Sequence, residues 1–321
     1  MAQLVKLSDY ISRYETDIYR YPSRFVRLKK ERWERLLHDW EHRKTMPLYQ
    51  ESDDGNLDSD DSSKEAGFLG RLKNFFQREE KNEWDFDMPS QQEAAPPWAA
   101  FKSKEELVNH FREEIYRFQL SWASSTISEV SDIKRKYYYD TLLTYLLLKL
   151  PDSFFVFYEP VFVAKKAPVD LDIFILTPSE LWLITPLFGK KDTIFHADSD
   201  RFWIKAQGEN KDKIIHPGIS LKRMRTVIKT MLEEKELSVP ITTAILAKDS
   251  YIDTPQTQKR WNYIDRRNID EWQKALLKNR SPIKHHQLKI ADALLSSCLT
   301  TSEFRAEYLE DVDEPTEELP K

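Results

Sequence analysis

Between Phe154 and Thr185 the hydrophobic period of this chain changes from helical to strand-like for three successive runs, and that change restricts the fold more than any other feature. Phe154 to Val163 is rich in β-formers, Leu171 to Leu176 reads LDIFIL, and Leu181 to Thr185 reads LWLIT. Pro, Asp or Lys turns bound each run. Upstream, Ser103 and Glu106 form a capping box that opens one helix. A second helical stretch runs from Ser128 to Leu150, with Tyr138, Leu142, Tyr145 and Leu146 among its apolar positions. Downstream, Pro217 and Gly218 open a helix through Glu236 whose buried face is Leu221, Met224, Val227, Ile228 and Met231. Pro240 then precedes ITTAILA, a buried strand, and helices over Ile269–Lys278 and His285–Leu299 follow. Helix, three strands, helix, strand is an αβββαβ order. It predicts an α/β fold with a mixed sheet flanked by helices.

The six glycines (Gly55, Gly67, Gly70, Gly189, Gly208 and Gly218) exclude several enzyme classes. A dinucleotide turn, a P-loop or a kinase loop clusters glycines where backbone amides approach phosphate, and no such cluster occurs. No G-x-S-x-G elbow is present either. The single cysteine, Cys298, rules out a disulfide framework and a Cys-based zinc site. It falls beside Leu294, Leu295 and Leu299, where packing is the expected role. The opening MAQLVKLSDYISRYETD lacks the apolar core of a signal peptide, and the run Leu142–Leu148 is far too short to span a bilayer. A cytoplasmic protein with no integral membrane segment is the expectation.

The segments outside the α/β module differ in composition. Residues 1–50 hold eleven basic and seven acidic residues and read as a helical N-terminal extension, with a helix from Ser23 to Arg43. Residues 51–66 carry seven acids around one leucine and read as a disordered linker. Residues 67–80 form an amphipathic helix, Phe68, Leu69, Leu72, Phe75 and Phe76 sharing one face. Residues 81–100 are a second linker, 101–300 the module, and 301–321 an acidic tail.

The formal net charge of −5 conceals a basic module. Residues 190–289 contain 21 basic and 13 acidic side chains. Lys222, Arg225 and Lys229 lie opposite the buried stripe of their helix and point outward together. Arg201, Trp203, Lys205, Lys211 and Lys213 precede them, mixing cations with an aromatic ring as surfaces that contact phosphate and base do. Lys259, Arg260, Arg266 and Arg267 follow.

One constellation points to phosphodiester chemistry. Metal-dependent nucleases place Asp on one strand and Glu-x-Lys on the next, because residues two apart on a strand face the same phosphate. Asp172 opens LDIFIL, and the next strand ends in Thr185-Pro186-Leu187 before Gly189. The stretch from Tyr138 to Lys248 resembles the nuclease-related domain family, a branch of the PD-(D/E)xK restriction-endonuclease-like fold. Asp140 on the helix, Asp172 before the strand, Gly189, and the basic helix followed by ITTAILA carry that resemblance. The family's Glu and Lys are replaced by Thr185 and Leu187, which removes a charged metal ligand and the cation that would stabilise developing phosphorane charge. The resemblance with this loss implies a non-catalytic module that needs no cofactor. An active enzyme would be an Mg²⁺- or Mn²⁺-dependent nuclease in which Asp172 keeps the metal and Asp140 is a further catalytic acid. Glu159 or Glu180 would then act as a migrated carboxylate and Lys190 or Lys191 as the lysine.

Two further motifs have plainer readings. His38 to His42 matches H-x-x-E-H in spacing, but a third zinc ligand would have to come from elsewhere. His285 and His286, adjacent on a helix, point apart. The leading expectation is a protein of nuclease-related ancestry that binds DNA or RNA through Lys222, Arg225, Lys229, Arg201 and Lys205, or binds a protein partner. The competing expectations are the migrated nuclease and an adaptor joining partners through residues 1–45 and the Phe68–Arg78 helix.

Overall fold

A computed structural model describes residues 1–45, 101–164, 167–197, 199, 201–254, 261–278 and 281–304. In chain order the elements begin with β1 (Gln3–Leu7), α1 (Arg13–Thr16), α2 (Tyr21–Thr45), α3 (Lys104–Trp122) and β2 (Glu129–Val130). A 3₁₀ turn over Arg135–Tyr139 leads to α4 (Thr141–Lys149), β3 (Phe155–Tyr158), β4 (Val161–Ala164), β5 (Ala167–Asp170), β6 (Ile173–Leu176) and β7 (Leu181–Pro186). Then come β8 (Thr193–His196), β9 (Phe202–Gln207), β10 (Asn210–Ile215), α5 (Gly218–Glu234) and β11 (Ile241–Ala247). The chain continues through β12 (Tyr251–Asp253), β13 (Asn262–Asp265), α6 (Ile269–Lys278), α7 (His285–Leu295) and β14 (Glu303–Phe304). The expected amphipathic helix over residues 67–80, both linkers and the tail beyond Phe304 lie outside the described residues.

The three strand-period runs pair as the sequence implies. β3, β6 and β7 form an antiparallel meander, Tyr158 opposite Ile173 and Ile173 opposite Ile184. Helix α5 then carries the chain to β11, which pairs in parallel with β7, and β13 adds beyond it, also parallel. From α4 through β11 the observed order is therefore helix, antiparallel meander, helix, parallel strand, within a mixed six-stranded sheet ordered β1-β3-β6-β7-β11-β13. Helices cover both faces. Trp182 of β7 meets Trp272 of α6 edge-on at 6.0 Å, while Thr185, on the opposite face of the same strand, shares a carboxylate with Ser220 of α5. Strands β3 and β6 are buried at every residue, as a sheet covered on two sides requires.

Two sequence expectations change here. Residues 1–50 are not wholly a helical extension, because Gln3–Leu7 is the edge strand of the main sheet, paired in parallel with β3 and buried at all five residues. Lys6 in its middle hides the strand in the sequence; in the fold it is fully buried and pairs with Glu15. The helix expected over Ser128–Leu150 is also shorter. The Asp140 carboxylate accepts the amides of Leu142 and Leu143, so a new helix starts at Thr141, and the residues before it form the 3₁₀ turn and β2.

A second sheet, ordered β10-β9-β8-β12, packs beside the first. Its hairpin turns at Gly208, whose φ of 58° suits the first central residue of a two-residue loop. Trp203 and Phe195 are buried on its inner side, Trp203 lying against Tyr263 of β13 at 6.1 Å. These elements belong to one compact unit, Met1–Arg27 with Gln119–Lys321. The other, Leu28–Phe118, is described here by α2 and α3, with Trp33 on Phe111 at 5.1 Å, the ion pair Arg32–Glu114 at 2.6 Å, and the Trp40 indole donating to the Phe101 carbonyl at 3.0 Å.

Candidate functional site

Asp172 sits just before β6, at the junction of three elements. Its carboxylate Oδ2 accepts from the Thr185 hydroxyl at 2.6 Å and from the Ser220 hydroxyl at 2.7 Å. Thr185 comes from β7 and Ser220 from the first turn of α5, so one carboxylate oxygen ties the meander to the following helix. Its carbonyl accepts the Glu159 amide at 2.8 Å. Thr185 is buried and donates its hydroxyl hydrogen, so it gives the Asp172 carboxylate a donor and not a second acid. Leu187 continues the parallel pairing, its amide donating to the Leu246 carbonyl at 2.7 Å.

The other acids and lysines have separate partners. Asp140 caps α4, and its second carboxylate oxygen accepts the Tyr158 hydroxyl at 2.7 Å. Glu159 adopts a left-handed φ of 51°, and its carboxylate meets Lys136 at 2.6 Å and the Tyr137 hydroxyl at 2.8 Å. Burial first, and the Glu159 carboxylate next, push the Tyr137 phenol well above its ordinary range. Glu180 accepts from Thr242 at 2.8 Å. Lys190 and Lys191 are exposed in a turn closed by Thr193, whose side chain approaches so closely that a Cβ on Gly189 would lie 2.8 Å away. The structure thus joins Asp172 to Glu159 only through the backbone and shows no contact of Lys190 or Lys191 with either acid. A hard divalent ion needs several charged oxygens, and among the described residues no group of three His, Cys, Asp or Glu could hold one. One carboxylate with two neutral hydroxyls does not fit Mg²⁺ or Mn²⁺.

The remaining motifs resolve locally. The His38 and His42 rings lie 4.1 Å apart on α2, and His38 contacts Asp39. His285 packs on Tyr19 while the His286 ring bonds to the Ser238 carbonyl at 2.8 Å, so the two do point apart. Cys298 donates to the Leu294 carbonyl, and burial pushes its thiol up to about 12.

The basic surface is real in part. Lys222, Arg225 and Lys229 are all exposed along α5. Lys229 pairs with Glu233 one turn on, whereas Lys222 and Arg225 make no ion pair among the described residues. Trp203 corrects the sequence expectation: it is fully buried and stacks near His216, so it cannot present its ring to a base. Lys205 shares the strand face of Trp203 and is half-buried. Arg201 is exposed, its guanidinium 5.4 Å from the Phe202 ring. Sequence reasoning missed Phe202 and Tyr251. The signal was available in principle, because FWIKAQ alternates and one of its two aromatics had to face away from the core.

No family model and no solved structure matches the chain. A 41-residue stretch is 58% identical to an RNA 2',3'-cyclic phosphodiesterase of Geobacillus stearothermophilus, covering 13% of this chain and 13% of that protein. No helix among the described residues is long and apolar enough to cross a membrane.

Proposed function

We propose that this chain is a non-catalytic protein of nuclease-related ancestry that binds nucleic acid, with the exposed cations of α5 as its duplex contact. The observation that carries the reading is the Asp172 carboxylate, engaged by the Thr185 and Ser220 hydroxyls where a metal site would need a second acid. The helix, antiparallel meander, helix, parallel strand order from α4 to β11 supports the restriction-endonuclease-like ancestry. The migrated nuclease is disfavoured, since Glu159 is engaged by Lys136 and Tyr137 while Lys190 and Lys191 sit in an exposed turn. Lys222 and Arg225 on one exposed helix face supply the sequence-independent phosphate attraction that such binding needs. The 41-residue match is too short to lend this chain an activity.

Two measurements on the purified protein test the reading. Supercoiled and single-stranded DNA incubated with Mn²⁺ should remain uncut, at the same background as Asp172→Ala. Cleavage abolished by that substitution would overturn the non-catalytic assignment. Duplex DNA affinity should fall at least tenfold for Lys222→Glu with Arg225→Glu, and the salt slope should drop by about 1.8 for two lost phosphate contacts. Unchanged affinity and slope would remove α5 as the contact surface.

A further inference from the structure

The sheet β10-β9-β8-β12 turns one face outward, and its composition is not that of an ordinary solvated surface. Strand alternation and the pairing register put Phe202, Ile204, Ile194, Tyr251, Ile215, Lys211 and Lys213 on that face, where its one acid, Asp253, is paired with His196 at 3.1 Å. The inner face carries Phe195, Trp203 and Ile252, all buried, so the sheet is anchored from one side only. Ile215 is 67% exposed and Ile194 37%, while Phe202, Ile204 and Tyr251 are half-buried. Each aromatic ring is flanked by two cations. Lys213 Nζ lies 4.2 Å and the Arg201 guanidinium 5.4 Å from the Phe202 ring; the Arg266 and Arg267 guanidinium groups lie 5.9 and 5.8 Å from that of Tyr251.

The pairing of flat rings with cations selects among occupants. An apolar protein surface would cover the isoleucines but strip water from Lys213, Arg201 and Arg266 without returning a charge, which is costly. A duplex offers phosphates, yet its bases are stacked inside and give the rings nothing to cover. A single strand offers both unstacked bases for the rings and phosphates for the cations. Lys213 and Arg201 are held on the Phe202 ring by only a weak attraction, easily exchanged for phosphate, and Arg266 adds to its ring contact one long hydrogen bond, 3.4 Å, to the Tyr251 hydroxyl. Arg267 is the exception, because Asp265 fixes its guanidinium and so fixes one wall of the Tyr251 platform.

We infer that the outer face of this sheet binds single-stranded nucleic acid, with bases stacking on Phe202 and Tyr251 and phosphates meeting Lys211, Lys213 and Arg266. The inference deepens the nucleic-acid-binding reading above and rests on it, while using a surface separate from α5. From strand spacing and register the two rings stand on the order of 16 Å apart, a span of a few nucleotides.

Fluorescence anisotropy on the full chain tests it, with labelled oligo(U), oligo(dT) and a mixed-sequence duplex as probes. Phe202→Ala with Tyr251→Ala should weaken single-strand binding at least tenfold and leave duplex affinity unchanged. Lys211→Glu with Lys213→Glu alters exposed side chains only, so it keeps the test decisive if the aromatic variant fails to fold. That variant should weaken single-strand binding and lower its salt slope by about 1.4. Tighter binding of oligo(U) than oligo(dT) would assign the face to RNA, and equal binding to either strand; both support the inference. Failure of the wild type to bind either single strand, or variants that bind them as the wild type does, would overturn it. Duplex loss in Lys222→Glu with Arg225→Glu, alongside sheet variants that bind single strands normally, would sink this inference alone and leave α5 standing.

Discussion

A carboxylate withdrawn from water needs donors, and Asp172 and Asp265 obtain them from different chemistry. Asp172 takes two neutral hydroxyls, a weak field for a metal ion but a sound tie between β7 and α5. Asp265 is almost fully buried and takes the Arg267 guanidinium together with the amides of Ile252 and Arg267. Burial works to raise the Asp265 carboxyl, but the bonds from Arg267 and the two amides outweigh it and hold the group below its ordinary value of 3.8. A carboxyl depressed in the folded state adds stability that is complete above the unfolded value and is lost as pH falls through the folded one. Asp265→Asn should therefore cost about 1.5–3 kcal/mol at neutral pH, the range for hydrogen bonds to charged groups. The deficit relative to wild type should shrink as pH falls below about 4. Urea midpoints for both proteins at neutral pH and near pH 3 check this; a deficit independent of pH would show that shape, not charge, makes Asp265 matter.

Among the elements, those legible in the sequence were those whose period matched their surroundings on both sides. β3, β6, β7 and β11 lie in the interior of a covered sheet, so their runs are apolar and short, and α5 shows one apolar stripe against an exposed basic face. β10 escapes a sequence reading because NKDKII faces solvent along most of its length, and nothing in its pattern separates a one-sided edge from a loop, whereas the alternation of FWIKAQ in β9 is a strand signal that was overlooked. Asp172 stands out in the sequence as an acid opening an apolar strand run, but Ser220, 48 residues on, becomes its partner only through the crossover of α5. β1 was hidden for a physical reason of the same kind. Lys6, charged in the sequence, is fully buried in the fold because its ammonium meets the Tyr10 carbonyl at 2.6 Å, the Thr300 hydroxyl at 2.8 Å and the Glu15 carboxylate. All three of its donors are used. Lys6→Met should leave Glu15 without its cation and cost about 3 kcal/mol, the scale on which broken buried pairs destabilise. Adding Glu15→Leu should recover most of the loss in a urea denaturation cycle, and additive losses instead would deny the coupling.

At the scale of the whole molecule, the sequence reading drew the boundary of the module at residue 101, whereas the contacts divide the chain differently. Met1–Arg27 joins Gln119–Lys321 in one unit, and Leu28–Phe118 forms the other. Sequence composition could not draw that line, because the first unit is discontinuous and its two parts meet only in space. β1 lies in the main sheet, the Gln119 side chain accepts the Leu4 amide at 2.8 Å, and Tyr14, Tyr21 and Phe25 surround the buried Trp122 at 5.5 to 6.2 Å. Phe25 and Trp122 in ring contact also mean that the chain leaves the first unit and re-enters it at neighbouring points. A short Gly/Ser linker in place of Leu28–Phe118 would therefore close a small gap, at a loop-closure entropy that grows only slowly with length. The shortened protein should unfold in one cooperative thermal transition and keep the full chain's affinity for single-stranded probe, since the sheet β10-β9-β8-β12 and its aromatic face lie wholly within the retained unit. Calorimetry and anisotropy on that protein provide the check. A broad, non-cooperative melt would mean that Leu28–Phe118 completes the core of the first unit, and a cooperative melt with lost binding would place part of the nucleic-acid contact outside it.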